Sequence, residues 1–120
     1  MNNLIVLIGY MGSGKSSVAK ALSSKLKTNH IDLDKFIESS EGISISNIFK
    51  KKGEINFRKI ERKYLENILK SKKYSIISLG GGTPCYFDNI EFINKFSNNT
   101  IFLKTSINEL TERLFIEKDD

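Results

Sequence analysis

Apolar residues along this 120-residue chain fall into short runs that take turns with longer periodic stretches. Leu4-Ile5-Val6-Leu7-Ile8 is an unbroken apolar run, the pattern of a strand buried on both faces. Residues 16–27 then carry Val18, Ala21, Leu22 and Leu26 at helical spacing. Residues 29–34 read as a short second strand ending in acids, and residues 35–39 as a brief helix. Residues 43–52 form a second helical piece with Ile45, Ile48 and Phe49 on one side, and Gly53 ends it. Residues 54–70 make the longest helix, striped by Phe57, Ile60, Tyr64 and Ile68. A third strand over residues 74–79 runs into Gly80-Gly81-Gly82. Residues 87–96 read as helix and residues 100–104 as a fourth strand. Ser106 with Glu109 is a capping-box pattern that opens a last helix, running to about Glu117.

Strands alternating with helices predict an α/β domain, a parallel sheet sandwiched by helices. In such sheets ligands gather at the carboxyl ends of the strands. Four features fall there: the loop after strand one, Asp32 and Asp34, the triple glycine, and the loop after strand four.

Composition adds bounds. The length suits one domain over residues 1–120, with no repeat, linker or low-complexity stretch. No run is long enough to span a membrane, and the N-terminus lacks the pattern of a secretory signal, so no membrane partner is expected. Cys85 is the only cysteine, so no internal disulfide can form, which is compatible with a reducing cytoplasm. The net charge of +5 comes from scattered lysines rather than a basic stripe with interleaved aromatics, so no nucleic-acid partner is expected. Arginine is rare; Arg58, Arg62 and Arg113 are the full set.

The chemistry centres on Gly9-Tyr10-Met11-Gly12-Ser13-Gly14-Lys15-Ser16, which fits G-x-x-x-x-G-K-[ST] between a strand and a helix. Glycines let the backbone curl until successive N–H groups face a phosphate. The helix behind adds unpaired donors and its positive dipole end. Lys15 would reach the β- and γ-phosphates, and Ser16 would ligate Mg²⁺. A glycine-rich turn that binds nothing is the competing reading. Asp32 and Asp34, two apart at a strand end, would point to two sides, one toward the metal and one toward a second substrate. Alternatively, Asp34 simply caps the next helix. Arg58 offers a planar fork for a carboxylate, or else pairs with Glu54 or Glu61 on its own helix. The triple glycine lets a substrate approach bare backbone, or is a plain loop.

Together these residues carry a resemblance. Gly9 to Ser16, Asp32-Leu33-Asp34, Gly53-Glu54 with Phe57-Arg58 and Glu61, and Gly80-Gly81-Gly82 match, in order, the motifs of shikimate kinases. That family belongs to the nucleoside-monophosphate-kinase-like branch of P-loop proteins. The resemblance implies an adenylate-kinase-like P-loop fold and transfer of the ATP γ-phosphoryl group to the 3-hydroxyl of shikimate, a step of aromatic amino acid biosynthesis. It implies ATP-binding by Gly12, Ser13, Gly14, Lys15, Ser16 and Ser17, with Arg113 against the adenine. Mg²⁺ would be held by Ser16 directly and by Asp32 through water. Asp34 would orient the 3-hydroxyl and take its proton, with Lys15 stabilising the transferred charge. Arg58 would hold the shikimate carboxylate, and Gly80, Gly81 and Gly82 would line its site. A cytoplasmic monomer is expected.

The sequence also departs from the family. The lid marked by Arg-Pro-Leu-Leu, a fifth strand and a closing helix are not present in these residues. The chain is therefore expected to be a fragment of a longer kinase, with little or no turnover by residues 1–120 alone. A missing fifth strand would expose the edge of the fourth or the first strand. Gluconate kinase, or a nucleotide-binding module without catalysis, are the alternative functions. His30 reads as structural, and Cys85 as a small buried hydrophobe.

Overall fold

The computed structural model describes residues 4–10 and 12–103. The last predicted helix, its capping pair Ser106 and Glu109, and Arg113 lie outside the described residues.

Four strands form one parallel sheet in the order β2-β3-β1-β4, with β1 at Ile5–Gly9, β2 at His30–Asp32, β3 at Ile76–Gly80 and β4 at Asn99–Leu103. Register puts Gly9 beside Gly80 and Leu103, so the three longer strands end level. The apolar run of β1 is explained by the two faces it serves. Val6 and Ile8 join a large core with Ile77 and Leu79 of β3. Helices α2 (Leu33–Glu41), α3 (Ile45–Ser71) and α4 (Asn89–Asn94) cover that face. Leu7 and Ile76 face the other way, onto Ala19 of α1 (Lys15–Leu26). Period-two alternation thus divides one strand between two cores.

The helices start and stop where local chemistry dictates. Gly14, left-handed at φ 86°, precedes α1. The Asp32 carboxylate accepts the Lys35 N–H at 3.2 Å and caps α2, and Ser44 accepts the Asn47 N–H and caps α3. Gly53 breaks α3 with φ 80° and ψ 167°, in the left-handed half of backbone space that glycine tolerates. The two predicted helices therefore meet at a kink rather than a loop.

Two expectations are corrected here. Asp34 does not end a strand: β2 stops at Asp32, and Asp34 lies in the first turn of α2. The capping aspartate is Asp32, because it is the last extended residue before the helix. Of the two sheet edges among the described residues, β2 and β4, that of β4 carries the exposed Ile101 and Phe102, as expected of the fourth strand, whereas β1 is paired on both sides. No helix of the described residues is long and apolar enough to cross a membrane.

Candidate active site

The loop between β1 and α1 is a backbone device. Gly12 and Gly14 hold φ of 83° and 86°. The Ser13 N–H donates to the Tyr10 carbonyl at 3.1 Å and closes the bend. Because α1 begins at Lys15, the N–H groups of its first turn have no helical acceptor behind them and face the loop. The Lys15 ammonium arches back across the loop and donates to the Leu79 carbonyl at 3.1 Å, near the end of β3. It therefore stands between the loop and the triple glycine. Ser13 is buried, with its Oγ unpartnered.

A cavity of about 800 Å³ opens at the ends of the strands. Gly12, Gly14, Lys15, Ser16, Ser17, Asp32, Asp34, Gly80 and Gly81 are all on its walls, as the strand-end argument requires. Asp34 is the acid most affected by this setting. Burial pushes its carboxyl above the ordinary 3.8, and the charges of Asp32, Glu61 and Glu38 push the same way, against Lys15. Glu38 also accepts the Ile45 N–H at 2.9 Å, tying α2 to the start of α3.

A second cavity of about 570 Å³ adjoins it, lined by Ser16, Ser17, Asp32 and Ser78 among others. Ser78 is opposite Asp32 in the β2–β3 register. It is buried, and its Oγ has no hydrogen-bond partner among the described residues. Among the lining residues, Ser16, Ser78 and Asp32 offer two hydroxyls and a carboxylate, oxygen donors of the kind that suit a hard, hydrated cation, with Lys20 and Lys35 on the same walls. His30, exposed on β2, lines the same cavity.

Arg58 and Gly82 sit just beyond the large cavity. Arg58 Nη1 donates to Glu61 Oε1 at 3.0 Å and to Oε2 at 3.2 Å. The pair is not the exposed helix pair weighed from sequence. The Arg58 side chain is only 15% exposed and that of Glu61 2%. The guanidinium carbon lies 4.3 Å from the Tyr86 ring centroid and 5.3 Å from that of Phe57. Phe57 stacks on Phe49 at 4.6 Å. Burial alone would weaken the guanidinium's hold on its proton, but the hydrogen bond and charge of Glu61 outweigh it and raise the pKa.

The triple glycine joins these parts, each glycine facing a different side chain. A Cβ at Gly80 would lie 3.6 Å from Asp34 Oδ2. One at Gly81 would strike the Tyr10 ring at 2.6 Å, and one at Gly82 would lie 2.8 Å from Arg58 Nη2. Asp34 and Arg58 therefore flank one three-residue segment, and Lys15 bonds the carbonyl just before it.

Several residues of this region escaped the sequence reading: Tyr10, Glu38, Ser78, Thr83 and Tyr86. Only Ser78 left a signal, as a polar residue inside an apolar strand. Cys85 is a further correction. It is exposed rather than buried, because the 3₁₀ turn at Thr83–Cys85 buries Thr83 and turns the next side chains outward.

Comparison with known proteins points to one family. A family model described as shikimate kinase matches residues 11–119. The shikimate kinase of Flavobacterium psychrophilum is 45% identical over 115 residues, spanning 96% of this chain and 67% of the relative. That of Azobacteroides pseudotrichonymphae is 47% identical over 110 residues, spanning 92% of this chain and 64% of the relative. The crystal structure of the Bacteroides thetaiotaomicron shikimate kinase superposes with a TM-score of 0.76 at 38% identity, over 82% of this chain and 56% of that one. The Acinetobacter baumannii shikimate kinase in complex with shikimate superposes with a TM-score of 0.79 at 32% identity, over 95% of this chain and 63% of that one. The chain thus spans about two thirds of the length of these curated relatives. A strand-end site built on a P-loop, two acids, a buried arginine and three glycines, together with a family match over nearly the whole chain, places this protein in the shikimate kinase family.

Proposed function

We propose that the protein to which this chain belongs transfers the ATP γ-phosphoryl group to the 3-hydroxyl of shikimate. The observation that carries the proposal is the meeting of Asp34 and Arg58 at the two ends of the triple glycine, beside Lys15. An acid and a guanidinium so placed suit the hydroxyl end and the carboxylate end of one small ring acid. The Acinetobacter baumannii shikimate kinase was solved in complex with shikimate, which supports the same substrate here.

In this reading Gly12, Ser13, Gly14, Lys15, Ser16 and Ser17 hold the ATP phosphates through backbone N–H groups and the Lys15 ammonium. Lys15 then swings from the Leu79 carbonyl to the charge gathering on the transferred group. Arg58 pairs with the shikimate carboxylate, and Gly80 to Gly82 let the ring lie against bare backbone. The 3-hydroxyl oxygen bonds to the γ-phosphorus as the bond to the bridging oxygen of ADP breaks. Its proton passes to Asp34, whose burial gives it the affinity for a proton that this step needs. Ser16, Asp32 and the unpartnered Ser78 hydroxyl fit a hydrated Mg²⁺, which Ser16 and Asp32 would hold. When bound, such an ion neutralises phosphate charge. Arg113, outside the described residues, is assigned to the adenine. We place the protein in the cytoplasm, as a monomer with one kinase domain, in aromatic amino acid biosynthesis.

Titration of the full-length gene product with shikimate and with gluconate, with and without Mg-ADP, tests this. Saturable shikimate binding that collapses in Arg58→Ala is expected, with product phosphorylated at the 3-hydroxyl by ³¹P NMR. Tighter binding of gluconate, or binding of nucleotide alone, would refute it.

A further inference from the structure

The turn that follows the triple glycine grips the Arg58 site from two directions. Thr83, fully buried, donates its hydroxyl to Glu61 Oε2 at 2.9 Å. The same carboxylate accepts both contacts from Arg58 Nη1. The Thr83 carbonyl accepts from Asn89 Nδ2 at 2.8 Å, and Asn89 Oδ1 accepts from Arg62 Nη1 at 2.8 Å, so Thr83 is itself anchored. Three residues beyond Thr83, the Tyr86 ring covers the Arg58 guanidinium. Its hydroxyl donates to Glu54, immediately after the Gly53 break in α3.

An arginine side chain has many rotamers, and a guanidinium recognises a carboxylate well only when its plane is fixed in advance. Here both degrees of freedom are restrained. Glu61 can fix the Nη1 edge only while its own carboxylate cannot turn, and Thr83 is the neutral group that prevents the turn. Tyr86 fixes the plane. Arg58 Nη2, beside Gly82, is the edge turned to the triple glycine.

We propose that Thr83 and Tyr86 are positioning residues for carboxylate recognition: Thr83 locks Glu61, Tyr86 stacks on the guanidinium, and together they hold Arg58 in the pose that receives the acid group of the substrate. This rests on the assignment of Arg58 to the shikimate carboxylate. Neither residue touches the substrate, and their effect is confined to its charged end.

The test uses the full-length gene product and two acceptors, shikimate and shikimate methyl ester, which keeps the ring and hydroxyls but loses the charge. Thr83→Val is expected to raise KM for shikimate about tenfold, the scale of one lost hydrogen bond to a buried carboxylate. KM for ATP and KM for the ester stay within about twofold, and Thr83→Ser restores the wild-type value. Tyr86→Leu, at a partly exposed position, is expected to raise KM for shikimate about fivefold with the same selectivity, and carries the test if Thr83→Val does not fold. Equal losses for acid and ester in both variants would make the turn merely structural and overturn the proposal. So would unchanged shikimate KM in both variants while Arg58→Ala abolishes acid binding. Unchanged acid binding in Arg58→Ala would overturn it too, and would place the fault in the assignment of Arg58 rather than in the turn.

Discussion

The two halves of the site are built from different materials. The half proposed for the nucleotide is backbone: N–H groups around Gly12 and Gly14, a helix start at Lys15, and one ammonium resting on a main-chain carbonyl. The half proposed for the acceptor is side chain against side chain, with Arg58 held by Glu61, Tyr86 and Phe57, and Glu61 held in turn by Thr83. Backbone donors need only a few glycines and the right turn. A guanidinium aimed at a carboxylate needs partners brought from distant parts of the chain. Loss of function in the first half should therefore cost less stability than loss of function in the second.

Asp34 stands on the border, and its substitution should have the largest effect. Asp34→Asn is expected to cut kcat by about 10²–10⁴, the usual range for a lost acid–base group. Its stability effect has the opposite sign. Burial raises the Asp34 pKa in the folded protein, so the native state binds this proton more tightly than the unfolded chain does. The stability Asp34 contributes is complete below its ordinary 3.8 and is lost as pH rises through the higher folded value. At neutral pH the amide should therefore stabilise the fold, read in thermal melts as a gain in melting temperature that is larger at pH 8 than at pH 4. A melting temperature that falls at pH 8 would contradict the burial argument.

Lys15→Ala and Arg58→Ala set the two halves directly against each other. Each should cost about 10²–10³ in kcat/KM, from lost charge stabilisation for Lys15 and lost carboxylate binding for Arg58. Lys15 leaves behind a carbonyl acceptor and takes away the positive charge that faces Asp34, so the unfolding free energy from urea titration should fall by about 0.5–1.5 kcal/mol. Arg58 leaves Glu61 buried without its cation, which costs about 3–5 kcal/mol. Equal destabilisation by the two variants would erase the distinction drawn here.

Glycine substitutions probe the same divide more gently. A Cβ at Gly12 meets nothing within 4 Å, yet φ is 83° there, so Gly12→Ala pays only backbone strain, about 1–2 kcal/mol. Gly82→Ala presses on Arg58 Nη2 in a segment whose backbone is ordinary. The first should raise KM for ATP and the second KM for shikimate, each by about tenfold in initial-rate assays. A reversal of the two would place the substrates the wrong way round.

The unequal materials also explain what could be read from sequence. Local backbone requirements leave local marks, so the P-loop, the break at Gly53 and the unbroken apolar run of β1 were legible from the residues alone. The sheet with helices on both faces followed from the alternation of strands with helices. Side-chain assemblies leave no such mark. Nothing in Thr83 or Tyr86 announces that they meet Glu61 and Arg58, because the contacts join residues 22 and 28 positions apart through the packing of α3 on β3. Asp32 and Asp34 show the limit within one motif. The acids were visible, but which one caps the helix depended on where β2 stops.

Ser78 gives the smallest expected effect and isolates one atom. Its hydroxyl is buried with no partner among the described residues, which ordinarily costs more than it contributes unless a bound ligand or water satisfies it. Asp32 lies beside it in register, and Ser16 shares the cavity. Removing an unpartnered hydroxyl should cost the fold nothing, and Ser78→Ala should melt within about 2 °C of wild type or slightly above it. If the hydroxyl serves the hydration shell of Mg²⁺, the concentration of Mg²⁺ needed for half-maximal rate should rise by about tenfold or less, while KM for shikimate stays put. Unchanged Mg²⁺ dependence together with a lower melting temperature would show that the hydroxyl serves the packing of β3 and not the metal.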